Sequence, residues 1–478
     1  MKIAMASPEI VPFAKTGGLA DVAGSLPLAL EGLGVQVSLI MPAYSVIPGK
    51  FFLRDTGIEL AVPVSHRFEL GRVLEGKTGK GIRVYFIQAD KYFARDNLYT
   101  TPEGDYFDNA ERFVFFSRAI LELLRKVGPL DILHCHDWQT ALAPTFLKAA
   151  SEAYPELAGV KTVFTIHNLG YQGVFWHLDW YLLNLDWKYF APKYLEFYGM
   201  INYLKGGIVF ADAVTTVSKK YAEEIKTEEF GFGLEGVLQE RAGALHGILN
   251  GVDYREWSPK TDRFIKKNYT PRDLSGKRSC KRDLQKAYGI PMRRVIPLIG
   301  MISRLADQKG LDLLAEIMDD LMGMELQFVL LGTGEKRYHE FFEEIRGRFV
   351  EKCGIRLDFD NTLAHKIEAG ADIFLMPSRY EPCGLNQIYS LKYGTIPVVR
   401  GTGGLDDTIQ EFDPATGKGN GFKFQECTGT AFLSAIKRAI ETYKDRALWR
   451  RLIRNAMAAD FSWKRSAKEY LRLYQSLV

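Results

Sequence analysis

Twice along this chain, short β-branched apolar runs alternate with segments whose apolar residues recur at helical spacing. The first series holds KIAMAS, VQVSLIMP, RVYFIQA, DILHCHD, KTVFTIHN and AVTTVS; the second holds VIPLIGMI, LQFVLLG, RLDFD, IFLMPS and IPVVR. Phe113, Phe116, Ile120, Leu123 and Leu124 mark one of the helices between them. Runs that are apolar on both faces belong to parallel sheets covered by helices. Two successive series therefore predict an α/β protein with two Rossmann-like, doubly wound parallel-sheet domains facing across a deep cleft. The 478 residues exceed what one core holds. Turn residues cluster in NGVDYREWSP, and a polar, Pro-containing stretch runs from Asp253 to Arg293. The expected division is thus 1–250, 251–459 and a terminal segment, 460–478. That segment carries Ala467, Tyr470, Leu471 and Tyr474 on one helical face and is expected to pack back toward the N-terminal domain.

Charge and composition remove several function classes. Lys plus Arg exceed Asp plus Glu by only four, which argues against general nucleic-acid binding. No run approaches the roughly 18 apolar residues of a membrane span. The start, MKIAMASPEI, has one Lys and no long apolar region, so no signal peptide is expected. Five cysteines, an odd number with no CxxC pair, point to a reduced, cytoplasmic protein.

In open α/β sheets, ligands bind beyond the carboxyl ends of the strands. The polar residues expected there are Lys15, His136, Asp137, His167, Asn168, Ser218, Asn250, Arg304, Lys309, Gly332 to Gly334, Glu381 and Thr402 to Gly404. They come from both halves, and a single cleft would collect them. Lys15 precedes Gly17 and Gly18, the reverse of a Walker loop. Arg304 and Lys309 stand where a strand ends and a helix starts near Gly310, which makes an anion site or a pair of solvated surface charges. In GTGGLDDTI, Gly401, Gly403 and Gly404 are placed to expose successive N–H groups to an anion, or simply form a tight turn. Glu381 precedes a helix led by Gly384. It can accept from sugar hydroxyls, oppose developing positive charge, or cap that helix. Cys383 lacks a neighbouring base in sequence, which favours packing or substrate shape over nucleophilic attack. His134 and His136 share one strand face, with Asp137 on the other, and no DxD or HExxH accompanies them, so no metal site is expected. LGTGEKRY is not a full GxGxxG, which counts against a dinucleotide oxidoreductase. No second carboxylate completes a glycosidase pair.

In order along the chain, KTGGLADVAGSLP, HDWQTAL, TIHNLGYQG, NGVD, SRLADQKGLDLL, SRYEPCGLNQIYSLKYG and GTGGLDDTI resemble the motifs of the bacterial and plant glycogen and starch synthases that use ADP-glucose. The resemblance covers essentially the whole chain. It implies a GT-B glycosyltransferase that moves α-glucose from ADP-glucose to the non-reducing 4-OH of an α-1,4-glucan, with retention and with neither cofactor nor metal. It implies that Arg304 and Lys309 hold the diphosphate, helped by amides around Thr402, Gly403 and Gly404. Glu381 would contact the donor glucose, with Cys383, Gly384 and Leu385 beside it. Lys15 and Gly18 would reach the phosphates from the other domain, and Asp21, Asp137, His167 and Asn250 would line the sugar and acceptor side. Glu381, His167, Lys15, Arg304 and Lys309 would carry catalysis. The chain departs from a Glu-x7-Glu pattern in having Tyr389 at the second position, and Asn386 stands where a smaller hydroxyl residue is expected. A non-catalytic glucan-binding protein of this fold, or a related GT-B enzyme or phosphorylase using another donor, are the rival readings. Oligomeric state, regulation and acceptor length stay open.

Overall fold

β1 (Lys2–Ala6), β2 (Gln36–Pro42), β3 (Arg54–Val64), β4 (Arg67–Lys77), β5 (Arg83–Gln88), β6 (Ile132–His136), β7 (Lys161–Ile166), β8 (Ala213–Thr216) and β9 (Leu245–Gly247) make one sheet, in the order β9-β8-β7-β6-β1-β2-β5-β4-β3. β1 pairs in parallel with β2 on one side (Ile3 opposite Val37) and β6 on the other (Ile3 opposite Ile132). The order of the parallel strands reverses there, between β1 and β6. A second sheet is built from β10 (Leu298–Ile302), β11 (Gln327–Leu331), β12 (Cys353–Arg356), β13 (Ile373–Met376), β14 (Ile396–Arg400) and β15 (Phe422–Phe424), all parallel, in the order β12-β11-β10-β13-β14-β15. That is the doubly wound 3-2-1-4-5-6 arrangement, with its reversal between β10 and β13. The computed structural model describes residues 1–47, 49–79, 81–101 and 103–478.

The chain divides into two units, Met1–Gly251 with Trp463–Val478, and Val252–Ser462. Each has its own core. In the first, α1 (Gly18–Glu31) packs against β2 and α2 (Asn109–Val127) against β3 and β4, and Ile3, Met5, Val22, Leu26, Phe113, Phe116, Ile120 and Leu133 are buried together. The terminal helix, Trp463–Leu477, belongs to this unit. It buries Ala467, Tyr470 and Tyr474, and Tyr474 Oη meets His134 Nδ1 at 2.8 Å. In the second unit, Leu298, Ile299, Phe328, Val329, Phe374 and Val398 fill the centre of the sheet. No helix among the described residues is long and apolar enough to cross a membrane.

Two sequence expectations need correction. The first sheet is not purely parallel: β3 and β4 form an antiparallel hairpin, and β4 pairs antiparallel with β5. In β3, buried Leu60, Val62 and Val64 alternate with Glu59, Ala61 and Pro63, the signature of a strand wetted on one side, not of a doubly covered one. The run RLDFD is not a strand. β12 ends at Arg356, Phe359 is exposed, and Asp360 caps the following helix by accepting from Leu363 N at 2.9 Å. The polar stretch Asp253–Arg293 contains a helix, α3 (Ser275–Tyr288), which buries Cys280 and Leu284 and ends at Gly289 in the left-handed region, φ 69°.

Candidate active site

In the first unit, the loop after β1 carries Lys15 to the start of α1. Lys15, Thr16 and Gly17 are all exposed, yet the loop is tied down. Val11 N donates to Ala20 O at 3.1 Å, and Phe13 N and Ala14 N donate to Ile10 O. Lys15 Nζ pairs with Asp21 at 2.8 Å, the first acidic side chain of α1. Burial raises the Asp21 carboxyl above its usual range, and Lys15 opposes that.

Just beyond β6, Asp137 sits in the left-handed region at φ 56° and accepts from His167 N at 2.7 Å through Oδ1. It therefore sets the chain leaving β7, where His167 stands. Loss of solvent pushes the Asp137 carboxyl up to about 7, against the amide bond from His167 and with help from the charge of Glu9. His167 is not isolated: its Nε2 lies 2.9 Å from His136 Nδ1, and the His136 ring lies 4.2 Å from that of His134, tilted by 31°. His134 is held between Thr165 Oγ1 and Tyr474 Oη. Burial drives all three imidazoles toward the neutral form, His134 and His167 down to about 3. Asn250 follows β9 and is buried, and its Oδ1 has no hydrogen-bond partner among the described residues. Such an atom is expected to meet a ligand or a water.

In the second unit, Arg304 and Lys309 leave β10 and Glu381 leaves β13, so they flank the reversal of strand order. Gly310, at φ 66°, precedes α4 (Leu311–Gly323). Arg304 Nη2 reaches Gln308 Oε1 at 3.3 Å. Gln308 joins the two loops: its carbonyl accepts from Arg379 N at 2.9 Å and its Nε2 donates to Tyr380 O at 3.3 Å. Lys309 Nζ donates to Glu381 Oε2 at 2.6 Å, and Ser378 Oγ donates to the same oxygen at 2.9 Å. The capping role for Glu381 is thereby excluded. The helix it precedes, α5 (Asn386–Tyr393), starts two residues after Gly384, with Leu385 at its N-cap and no side-chain cap.

The turn at 401–404 does not present a row of open amides. Gly401 N donates to Phe424 O at 2.8 Å, and Gly404 N donates to Glu381 O and Pro382 O at 3.1 Å. Its glycines serve close approach instead. Gly403 has φ 45°, and a Cβ there would fall on the Glu381 carbonyl oxygen. The start of α6 (Gly403–Thr408) is thus locked onto the Glu381–Cys383 turn, with Thr402 and Cys383 buried. Asn386 Nδ2 donates to Ile302 O at 3.0 Å, tying α5 to the end of β10. Tyr389 stacks on Trp257 with centroids 4.0 Å apart, and Trp257 stacks on His365 at 3.8 Å.

Glu9, Tyr99, Ser378 and Gln308 were not among the sequence candidates, yet directly or through one another they hydrogen-bond the candidates or the loops that carry them. His136 was a candidate from its place at a strand end, and it stands against His167. Among the described residues, no three His, Cys, Asp or Glu side chains form a set that could hold a metal ion.

A family model described as starch synthase catalytic domain matches residues 2–240, and one described as glycosyl transferases group 1 matches residues 285–456. The chain is 50% identical over 483 residues to a glycogen synthase of Koribacter versatilis, covering 99% of this chain and 98% of that one. It is 46% identical over 495 residues to a glycogen synthase of Pseudothermotoga lettingae, covering 100% and 99%. Among solved structures, the catalytic domain of starch synthase IV from Arabidopsis thaliana bound to ADP and acarbose matches with a TM-score of 0.90 and 35% identity, over 100% of this chain and 99% of that one. Sucrose-phosphate synthase from Thermosynechococcus elongatus, at 18% identity and a TM-score of 0.61 over 100% and 98%, shares the fold. With matches that run from one end to the other and motifs that fall at the strand ends of both sheets, this chain belongs to the glycogen and starch synthase family of GT-B glycosyltransferases.

Proposed function

We propose that this chain is a glycogen synthase that transfers α-glucose from ADP-glucose to the non-reducing 4-OH of an α-1,4-glucan, with retention and without a metal ion or cofactor. The observation that carries the reading is the set Arg304, Lys309 and Glu381 at the strand-order reversal of a 3-2-1-4-5-6 sheet. Nucleotides bind at that place in doubly wound folds, and the set supplies two cations and a carboxylate. In the reaction, the bond between glucosyl C1 and the β-phosphate oxygen breaks. The acceptor 4-oxygen bonds C1 from the same face, and its proton passes to the departing phosphate oxygen. Arg304, Lys309 and Lys15 neutralise the charge that gathers on the diphosphate. Thr402 and Gly403 at the start of α6, with Gly18 at the start of α1, line the phosphate side. Gly404 N, already bonded to the 381–382 carbonyls, shapes that turn. Glu381 faces the donor glucose beside Cys383, Gly384 and Leu385. Asp137 holds the main chain of His167, whose carbonyl opposes positive charge at C1. Asn250, with its orphaned Oδ1, and Asp21 bind sugar hydroxyls.

The ADP in the Arabidopsis starch synthase IV structure supports an adenine nucleotide donor here. The five cysteines, none of them in a disulfide and four of them buried, and a nucleotide-sugar substrate support a cytoplasmic setting.

The test is transfer of labelled glucose to glycogen from ADP-glucose and from UDP-glucose, with and without EDTA. The reading expects preferential use of ADP-glucose, label in α-1,4 linkage at non-reducing ends, and full activity in chelator. Preference for UDP-glucose would overturn the donor, and activity lost in EDTA and restored by Mg²⁺ or Mn²⁺ would overturn the metal-free mechanism.

A further inference from the structure

Glu9 is a buried carboxylate beneath an exposed loop. Its residue is 3% accessible, while Lys15, Thr16 and Gly17 above it are open to solvent. Four donors converge on it. Oε2 accepts from Thr16 N and from Gly17 N, the latter at 3.2 Å. Oε1 accepts from Thr16 Oγ1 at 2.5 Å and from Tyr99 Oη at 2.8 Å. The Glu9 main chain is itself fixed, since its carbonyl accepts from Ser7 Oγ at 2.6 Å, and Ser7 N donates to Ile40 O in β2. The chain entering α1 is therefore tied to the end of β1 through this side chain, beside the backbone bond from Val11 N to Ala20 O. Without Glu9, the two backbone N–H groups next to Lys15, those of Thr16 and Gly17, lose their acceptor.

We propose that Glu9 is a positioning residue for glucosyl transfer, which holds the Lys15–Gly18 loop in the geometry that brings the Lys15 ammonium to phosphate. This rests on the reading of Lys15 given above. The role is geometric, and the two carboxylate oxygens separate it from a role of charge. Oε2 faces backbone N–H groups, which can only donate, whereas Oε1 faces two hydroxyls, which donate or accept. Glutamine meets both demands, with its oxygen toward the amides and its NH₂ toward the hydroxyls. Aspartate keeps the charge but withdraws the carboxylate by about 1.5 Å, one C–C bond.

The experiment compares Glu9→Gln and Glu9→Asp, each alone and on a Lys15→Ala background, measuring turnover with ADP-glucose and glycogen, the glycogen KM, and ADP affinity by calorimetry. Glu9→Gln should keep turnover within about threefold of the parent chain, and Glu9→Asp should lose about ten- to a hundredfold through misplacement, with KM and ADP affinity little moved. On the Lys15→Ala background, Glu9→Asp should cost less than about threefold more, because residues that act as a unit are not additive. Three results overturn the proposal: Glu9→Asp as active as Glu9→Gln, Glu9→Gln below about a tenth of parent turnover, or an undiminished Glu9→Asp loss on the Lys15→Ala background. Should Glu9→Asp fail to fold, the Glu9→Gln result decides alone. A Lys15→Ala chain within about twofold of parent turnover is a different failure, since it removes the phosphate role of Lys15 itself.

Discussion

Lys309 and Glu381 form one ion pair, Nζ to Oε2 at 2.6 Å, with side chains only 17% and 10% exposed. The proposed function sends the two to opposite ends of the donor, the ammonium to phosphate and the carboxylate to glucose. A cation so held is shared, and it binds phosphate at the expense of its carboxylate. The pairing also keeps both charges compensated in a mostly buried place, where an unpaired one is costly.

That competition predicts the behaviour of Glu381→Gln. The amide still accepts from Lys309 and Ser378, so the fold is retained, but the carboxylate charge no longer holds the ammonium. ADP should bind as tightly as before, or more tightly. Turnover should fall by about 10²–10³, the typical cost of one preorganised electrostatic contact. Calorimetry and a glucose-transfer assay read the two quantities separately. Weakened ADP binding, or turnover near that of the parent chain, would defeat the assignment.

Tyr389 occupies the second position of the Glu-x7-Glu pattern, and the aromatic stack shows what it does there. It lies nearly parallel to Trp257, at 8°, and Trp257 covers His365 in the same way. Val252, Ile388 and Tyr389 are buried together, with Trp257 packed against them. Restoring the pattern with Tyr389→Glu would lose the stack and bury a carboxylate among apolar groups. The expected cost is about 2–4 kcal/mol of stability. Chemical denaturation measures it, and an unchanged midpoint would show that the site accommodates the acid.

Acid should destabilise the protein through its buried imidazoles. His134 and His136 are fully buried, and burial drives their pKa values down, His134 to about 3. Folded, they stay neutral; unfolded, they take up protons below about 6.5. The unfolded chain then binds more protons, so their contribution is intact above that pH and is lost as pH falls toward 3. The slope is about 1.4 kcal/mol per pH unit for each. Asp137 works the other way: its carboxyl, raised to about 7 by loss of solvent, lowers stability as pH rises from about 4 to 7. The fully buried Glu368 carboxyl, pushed up to about 8 by burial, acts in the same direction as Asp137, so the imidazole contribution is read by comparison with a variant. From pH 7 to pH 5, His134→Asn should lose less stability than the parent chain, or gain more, by about 2 kcal/mol. The same pH dependence of the denaturation midpoint in both chains would contradict the neutral assignment.

The doubly covered strands were legible because a strand buried on both faces has only one kind of sequence. The β3–β4 hairpin carries a different mark, the alternation of Leu60, Val62 and Val64 with more exposed neighbours, which signals a strand wetted on one side and falls outside a search for doubly covered runs. Arg304, Lys309 and Glu381 could be read because they are polar residues directly after apolar strands. Glu9 could not be. An acid two residues beyond Ser7 gives no sign that its carboxylate turns under the chain to meet Thr16 and Gly17, a matter settled by tertiary packing. The glycines at 401–404 look the same whether they open amides to an anion or let two turns touch, and it is the Glu381 and Pro382 carbonyls that take up Gly404 N.

Lys15 has its own partner, and this decides how its loss should appear. Its ammonium is held 2.8 Å from Asp21, in a pair that is partly exposed, 50% and 30%. Such a pair contributes about 0–1 kcal/mol to stability, so Lys15→Ala should fold normally. On the proposed function, bound ADP offers Lys15 a phosphate in exchange for a carboxylate it already has, and the expected net gain in the ground state is small. During transfer the diphosphate gains negative charge as the C1–O bond breaks, while Asp21 gains none. The preference of Lys15 for phosphate over Asp21 is thus greatest in the transition state, which is the condition for an effect on turnover and not on binding. Lys15→Ala should then lower turnover by about 10²–10³ while changing ADP affinity by less than about threefold. Asp21→Asn, which frees the ammonium without removing it, should tighten ADP binding. Calorimetry with ADP and a transfer assay with ADP-glucose on both variants test this. Equal losses of affinity and turnover in Lys15→Ala would make it a ground-state binder, and unchanged ADP affinity in Asp21→Asn would show that the Asp21 pair does not compete.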